Sequence, residues 1–293
     1  MEDKFDFFKF DQYTNPFGII FQPKAIEKAL FDCVDQKEYS AEDLIQHGDI
    51  WLSLHHHSKF NNRDSKLVIN DINKHIDQGH KTLKRASHII ITLGTSWAYR
   101  WKEDGSLVAN CHKIPQAKFK KELLSSEQIL QSLQNMVRKV QGLNKDVKFI
   151  FTVSPVRHWK DGAVQNQLSK STLILAIHQL KKIFDNVEYF PAYEIMMDDL
   201  RDYRFYADDM LHPSKVAVDY IWDLFSKTYF EDETIEIIKE VGKIIQAKNH
   251  RPLNSKTENH REILESQQNK IIQLKKKYSF LDFTAEEKYF SEK

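Results

Sequence analysis

Apolar residues along this chain follow two periods, and the alternation between them predicts its elements. Ile26, Ala29, Leu30 and Cys33 form a stripe at helical spacing within Lys24 to Val34, and Val68, Ile72, Ile76 and Leu83 form another within Leu67 to Ala86. Ile129, Leu133, Met136 and Val140 mark a third helix over Ser126 to Gln141. A fourth, capped by Ser169 or Ser171, carries Leu173, Ile177, Leu180 and Phe184. Between the stripes stand nearly unbroken apolar runs, His88 to Leu93, Val147 to Val153 and Val187 to Phe190. Such runs belong to strands covered on both faces, usually in parallel sheets. Tyr99 to Ala109 reads as a hairpin turning at Asp104-Gly105. Helix and strand in this rhythm predict an α/β fold of three layers, a mostly parallel sheet flanked by helices.

The pattern changes after Tyr229, where the helix that starts near Ser214 ends. Ile235, Ile238, Val241 and Ile245 predict one amphipathic helix, and Ile263, Leu264, Gln267, Ile271, Leu274 and Tyr278 a second, with a break at Pro252 to Ser255. The expected division is an α/β domain over 1–230 and a helical C-terminal extension over 231–293. The extension either folds back on the domain or mediates self-association. Lys275-Lys276-Lys277 reads as a solvated face.

Composition narrows the function classes. Among 293 residues, 43 Lys and Arg stand against 42 Asp and Glu, a formal net charge of +1, so no global field favours nucleic acid or an anionic membrane surface. No apolar run has the length of a membrane span. Met1-Glu2-Asp3-Lys4 lacks the basic-then-apolar order of a signal peptide, which makes a cytoplasmic protein the expectation if Met1 is the true start. Cys33 and Cys111 are the two cysteines; they give neither a disulfide framework nor a zinc spacing. Neither metal nor cofactor is implied, and the oligomeric state is left open.

The candidate chemistry centres on Asp208-Asp209-Met210-Leu211-His212-Pro213. A carboxylate three residues before a histidine can reach one ring nitrogen around a turn, fix the tautomer and leave the other nitrogen as a general base. Pro213 suits the first turn of the next helix and Ser214 its cap. Three polar clusters, Gly94-Thr95-Ser96, Ser154 to Asp161 and the stretch leading to His212, all follow strands, which in an open α/β sheet places them on the carboxyl edge where ligands bind. Asn15-Pro16-Phe17-Gly18 reads as a turn whose backbone amide is able to face a ligand. His55-His56-His57 lacks metal-ligand spacing and reads instead as a loop at the rim of a polar cleft, with His57 or Ser58 contributing. Asn110-Cys111-His112-Lys113 is a further polar cluster with no structural reason visible in the sequence.

Gly94-Thr95-Ser96 after a buried strand, with Asp-x-x-His near the end of an α/β domain, resembles the SGNH (GDSL-type) hydrolase superfamily. More closely, the chain resembles the GSCFA-domain family. The likeness is carried by Asn15-Pro16-Phe17-Gly18-Ile19, His56-His57-Ser58, Leu93-Gly94-Thr95-Ser96-Trp97 and Asn110-Cys111-His112-Lys113. It continues through Ser154-Pro155-Val156-Arg157-His158-Trp159, Gln167-Leu168-Ser169-Lys170, and Arg204-Phe205-Tyr206 leading into Asp209 and His212-Pro213. It covers roughly Met1 to Phe230. The resemblance implies an SGNH/flavodoxin-like sheet, with Asp209 as charge stabiliser, His212 as general base and Gly18 at the oxyanion-hole glycine. Ser96 stands where many relatives carry an asparagine donor, and Asn110, Arg157 or His158 is able to take over that role.

The resemblance also implies a Gly-Ser-Cys-Phe-Ala motif at the end of a first strand, about two dozen residues before Asn15, bearing the nucleophile as either its Ser or its Cys. Neither Gly-Ser-Cys nor Gly-Asp-Ser occurs in the sequence, and Met1 to Phe10 reads as the helix that would follow the motif. The first strand and nucleophile are therefore expected to be missing, with exposed apolar edges as a consequence. Three readings follow: a truncated hydrolase, a pseudoenzyme that keeps the pocket, or attack by another residue, Ser58, Ser154 or Cys111. As a hydrolase, the protein acts on an ester or acyl group of a small or glycan-like substrate. As a binding module, Arg157, His158, Trp159, Trp97 and His112 hold a polar, carbohydrate-like ligand without turnover. An interaction protein working through the tail is the third class.

Overall fold

The computed structural model describes residues 2–249 and 258–291. In chain order the elements begin with helices α1 (Glu2–Phe7) and α2 (Pro23–Asp35), strands β1 (Ile45–His47) and β2 (Ile50–Leu52), and helix α3 (Ser65–Arg85). Next come β3 (His88–Leu93), β4 (Trp97–Trp101), β5 (Leu107–Val108), β6 (Phe119–Leu123), α4 (Ser126–Leu143), β7 (Lys148–Val153), α5 (Gly162–Lys181) and β8 (Val187–Phe190). A single helical turn, α6 (Ala192–Glu194), precedes α7 (Lys215–Tyr229), α8 (Asp232–Asn249), α9 (Glu258–Lys277) and α10 (Thr284–Ser291).

The chain divides into two compact units, residues 15–221 and residues 1–14 with 222–293. The first is α/β. Its parallel sheet has the order β3-β7-β8, with Leu93 opposite Val153 and Thr152 opposite Phe190, so the strands end level at one edge. β7 is the central strand, and Phe149, Ile150, Phe151 and Val153 are all buried in it. Helix stripes close over the sheet: Val68, Ile72 and Ile76 of α3, Ile129, Leu133 and Val140 of α4, and Leu173, Ile177 and Leu180 of α5 share one core with Leu93 and Phe151. Local signals place the helix starts. Gln22 caps α2 by accepting from the Ala25 amide, Asp64 caps α3 from Lys66, and Ser125 with Gln128 forms a capping box on α4.

Two expectations change. α5 begins at Gly162, so Ser169 and Ser171 lie inside the helix and not at its cap. The first turns of α5 expose Val164 and Leu168, and their apolar residues therefore show no stripe to extend the pattern backwards. Short strands also appear where alternation is too brief to read from the residues alone. β1 and β2 form a hairpin turning at Gly48 (φ +62°), and β6 pairs antiparallel with β4 beside the expected β4–β5 hairpin.

The second unit is helical. Phe5, Phe8, Trp222, Phe225 and Phe230 form an aromatic cluster, with Phe8 stacked on Trp222 at 5.6 Å. Val241, Ile244, Leu264, Ile271, Phe283 and Phe290 make its second core. Buried Glu286 is paired by Lys9 and Lys248, each at 2.9 Å. The break expected at Pro252 to Ser255 lies outside the described residues. Among the described residues no helix is long and apolar enough to cross a membrane.

Candidate functional site

The loop after α6 reverses on itself and presents the Asp-x-x-His pair at its tip. Tyr206 and Pro213 form an antiparallel bridge, the Ala207 amide donates to the His212 carbonyl at 2.8 Å, and Ser214 donates to Phe205 at 2.7 Å. Met210 takes a left-handed conformation (φ +59°) to make the turn, an uncommon and costly setting for a non-glycine residue. Pro213 precedes the helix and does not lie in its first turn; Ser214 is the cap, its hydroxyl accepting from Ala217.

Within this loop Asp209 Oδ1 accepts from the amides of Leu211 and His212, both at 2.9 Å, while Oδ2 accepts the Nδ1 proton of His212 at 2.5 Å. The backbone N–H of His212, then that of Leu211, then the imidazole hold the Asp209 carboxyl down to about 2. With Nδ1 donating, the tautomer of a neutral His212 leaves Nε2 as a free acceptor, the state required of a general base. Among the described residues no side chain hydrogen-bonds that Nε2.

A cleft of about 440 Å³ is lined by Asp209 together with Arg157, Trp159, Tyr203, Met210 and Leu211. Arg157 reaches it from the segment after β7, where the Ser154 hydroxyl accepts from Val156 and the Asn166 side chain on α5 accepts from the His158 amide. The guanidinium donates to the Tyr206 hydroxyl at 2.8 Å and lies 4.8 Å from that ring. The structure thus places Arg157 in the same cleft as the carboxylate that orients His212.

The other sequence-selected residues occupy different settings. The Gly18 amide donates to the Asn15 carbonyl at 2.7 Å within its turn, which engages the group expected in an oxyanion hole. Gly94 donates its amide to Phe21 at 2.8 Å. Ser96 is fully buried, its amide donating to Ser169 Oγ at 2.7 Å and its hydroxyl to the Ser169 carbonyl at 2.6 Å, so it faces α5 and not a ligand. Asn110 accepts from the His112 amide through its side chain. His112 donates from Nε2 to the Ser53 carbonyl at 2.8 Å and accepts from Asn61 at Nδ1, and burial holds its pKa below the usual range. His57 accepts from the Lys59 amide, whereas His56 is the buried member of the triplet, stacked on Phe17 at 4.1 Å with its pKa pushed down to about 2 chiefly by burial. The His158 ring packs 5.2 Å from Phe21, and burial and then Lys170 lower its pKa. The Cys111 thiol is pushed up to about 11 by burial, which suppresses the thiolate. Among the described residues no group of three or more His, Cys, Asp or Glu is placed to hold a metal ion.

One residue was missed as an individual. Lys170 of α5 is fully buried, and its ammonium donates to the Gly94 carbonyl at 2.6 Å and the Ser154 carbonyl at 2.7 Å, the first carbonyls beyond β3 and β7. Burial lowers its pKa to about 7. Together with Ser169, which also bonds Thr95 at 3.1 Å, it fixes the two loops that leave the carboxyl edge. The signal was Gln167-Leu168-Ser169-Lys170 itself, polar residues on a helix whose next turn enters the core.

Family models place these features in context: one described as the GSCFA family matches residues 1–225, and one described as the GSCFA domain protein, C-terminal domain, matches residues 241–293. No curated protein and no solved structure matches the chain. With the first model extending from the start of the chain through the Asp209–His212 loop and into α7, the chain belongs to the GSCFA family.

Proposed function

We propose that this chain carries the acid–base part of an SGNH-type hydrolase that cleaves an ester or acyl group from a carbohydrate-like substrate. His212 acts as general base through Nε2, and Asp209 orients it and stabilises the imidazolium formed when a proton arrives. The observation that carries this reading is the 2.5 Å bond from His212 Nδ1 to a carboxylate that two backbone amides already hold ionised, beside a cleft of substrate size. The nucleophile is assigned to the family's Gly-Ser-Cys-Phe-Ala motif, which is not among these residues. β3 supports that assignment. Among the described residues its isoleucine run has a hydrogen-bonded strand neighbour only in β7, which leaves its other edge open to pairing. The Lys170 and Ser169 bonds hold the loops beside that edge in a fixed arrangement, as preorganised chemistry requires.

A second reading, a binding module using the same cleft, is favoured by the absence of any side-chain partner on His212 Nε2 among the described residues. Extending the coding region upstream discriminates the two. Codons for an apolar strand ending in Gly-Ser-Cys, with ester turnover that His212→Ala abolishes, support the hydrolase. Ligand binding without turnover from the extended chain favours the module.

A further inference from the structure

A second cleft, of about 160 Å³, shares Arg157 and Tyr203 with the first and is lined further by Arg201, Asp202, Tyr206 and Met197. Neither guanidinium lies within ion-pair distance of a carboxylate among the described residues; Arg157 makes its side-chain hydrogen bond to a phenol, Tyr206. The two acids nearby are engaged elsewhere. Asp202 accepts from the Arg204 amide at 2.9 Å and pairs with its guanidinium at 3.6 Å, and Asp209 is held by Leu211 and His212. Two arginines without acidic partners facing one cleft make a site for an anion, because each presents planar N–H donors that match a carboxylate or phosphate.

The neighbouring surface adds shape. Trp159 is 54% and Tyr203 66% exposed at the mouth of the larger cleft, and rings this exposed offer broad apolar faces with little packing function. A sugar ring has apolar C–H faces that suit such a platform, with hydroxyls left for water and the rim. Both clefts meet at Arg157, so a ligand whose ring lies over Trp159 and Tyr203 places its anionic group on the arginines and its remaining groups beside Asp209.

We infer that Arg157 and Arg201 form an anion subsite that selects saccharides bearing a carboxylate or phosphate, with Trp159 and Tyr203 as the platform for the sugar ring. The inference rests on the hydrolase reading for what happens next, since it names the substrate class of that same site, but the recognition step stands apart from turnover.

The test is titration calorimetry on the full chain with four probes: trigalacturonate, glucose 6-phosphate, neutral maltotriose and inorganic phosphate. At least one anionic sugar is expected to bind roughly tenfold tighter than maltotriose and tighter than inorganic phosphate, and the better of the two identifies the anion. Arg157→Ala and Arg201→Ala are each expected to weaken it by about tenfold, and Trp159→Ala by about fivefold without changing the response to inorganic phosphate. Equal affinity for maltotriose, insensitivity to both arginine variants, or inorganic phosphate binding as tightly as the sugars would overturn the inference. Circular dichroism of the variants confirms their folding. In the upstream-extended chain, ester turnover that survives His212→Ala while anionic-sugar binding persists refutes the hydrolase reading alone. Turnover lost in His212→Ala with no preference for anionic sugars refutes the subsite alone.

Discussion

Asp209 and His212 are joined twice, once by the Oδ2 to Nδ1 bond at 2.5 Å and once by Oδ1 accepting the His212 amide at 2.9 Å. The carboxylate therefore fixes both the ring and the backbone that carries it. Because Leu211 donates to the same oxygen, the loop tip is organised around this single acid. Removing Asp209 should cost loop order as well as imidazole orientation.

That distinction is measurable by amide hydrogen exchange. In Asp209→Ala the Leu211 and His212 amides are expected to exchange several-fold faster, while the sheet amides are unchanged. In His212→Ala the two amides keep their acceptor and should remain near wild type. Equal acceleration in both variants would show that the imidazole, and not the carboxylate, orders the loop.

Ser169 Oγ accepts from the buried Ser96 amide and bonds the Thr95 hydroxyl. Ser169→Ala leaves that amide without its acceptor, a loss of about 1–3 kcal/mol. Urea denaturation should show a lower midpoint with an unchanged slope. A variant as stable as wild type would mean that water replaces the hydroxyl in the buried site.

Lys170 gives stability a distinctive pH dependence. Burial lowers its folded-state pKa to about 7, against about 10.4 in an unfolded chain, so between those values the unfolded state binds more protons. Stability from this group rises with pH across that window, by up to ~1.4 kcal/mol per pH unit. Lys170→Met removes the contribution and also leaves the Gly94 and Ser154 carbonyls without a donor. The wild type should gain stability relative to the variant between pH 7 and 9. A stability difference that does not move toward the wild type across that range would mean that Lys170 is not the titrating group.

Gly18 carries φ +78°, and a Cβ built there would lie 2.2 Å from the Cβ of His57. Gly18→Ala is therefore strained in both backbone and packing and should destabilise by roughly 1–3 kcal/mol. Thermal unfolding near the wild-type midpoint would show that the Asn15 to Gly18 turn rearranges freely.

What the sequence disclosed follows from range. The Asp209–His212 bond spans three residues and needs only a turn, so its pattern is readable in a line of letters, as are the parallel strands His88 to Leu93 and Val147 to Val153, whose apolar runs are continuous. The inward setting of Ser96 is not legible locally, because the partner that holds it, Ser169, lies 73 residues away inside α5, a helix that begins at Gly162. Gly18 kept its conformational role as a turn glycine, yet the acceptor for its amide, Asn15, lies inside the same turn and removes it from an oxyanion hole as arranged here. The pairing of Arg157 with the Asp209 cleft was visible only as shared placement after strands, and its geometry depends on Tyr206 and Asn166, which no local pattern links to it. β1 and β2 span 3 residues each, and β6 carries Lys120-Lys121-Glu122 at its centre, so no alternation shows.

The most direct test of the hydrolase reading is the rate of p-nitrophenyl acetate hydrolysis by the upstream-extended chain, wild type against His212→Ala. A general base is worth about 10²–10⁴-fold, so the variant should lose at least a hundredfold in kcat while keeping its fold and its affinity for ligand in the Asp209 cleft. Hydrolysis unchanged by the substitution would contradict the assignment of His212 as the base.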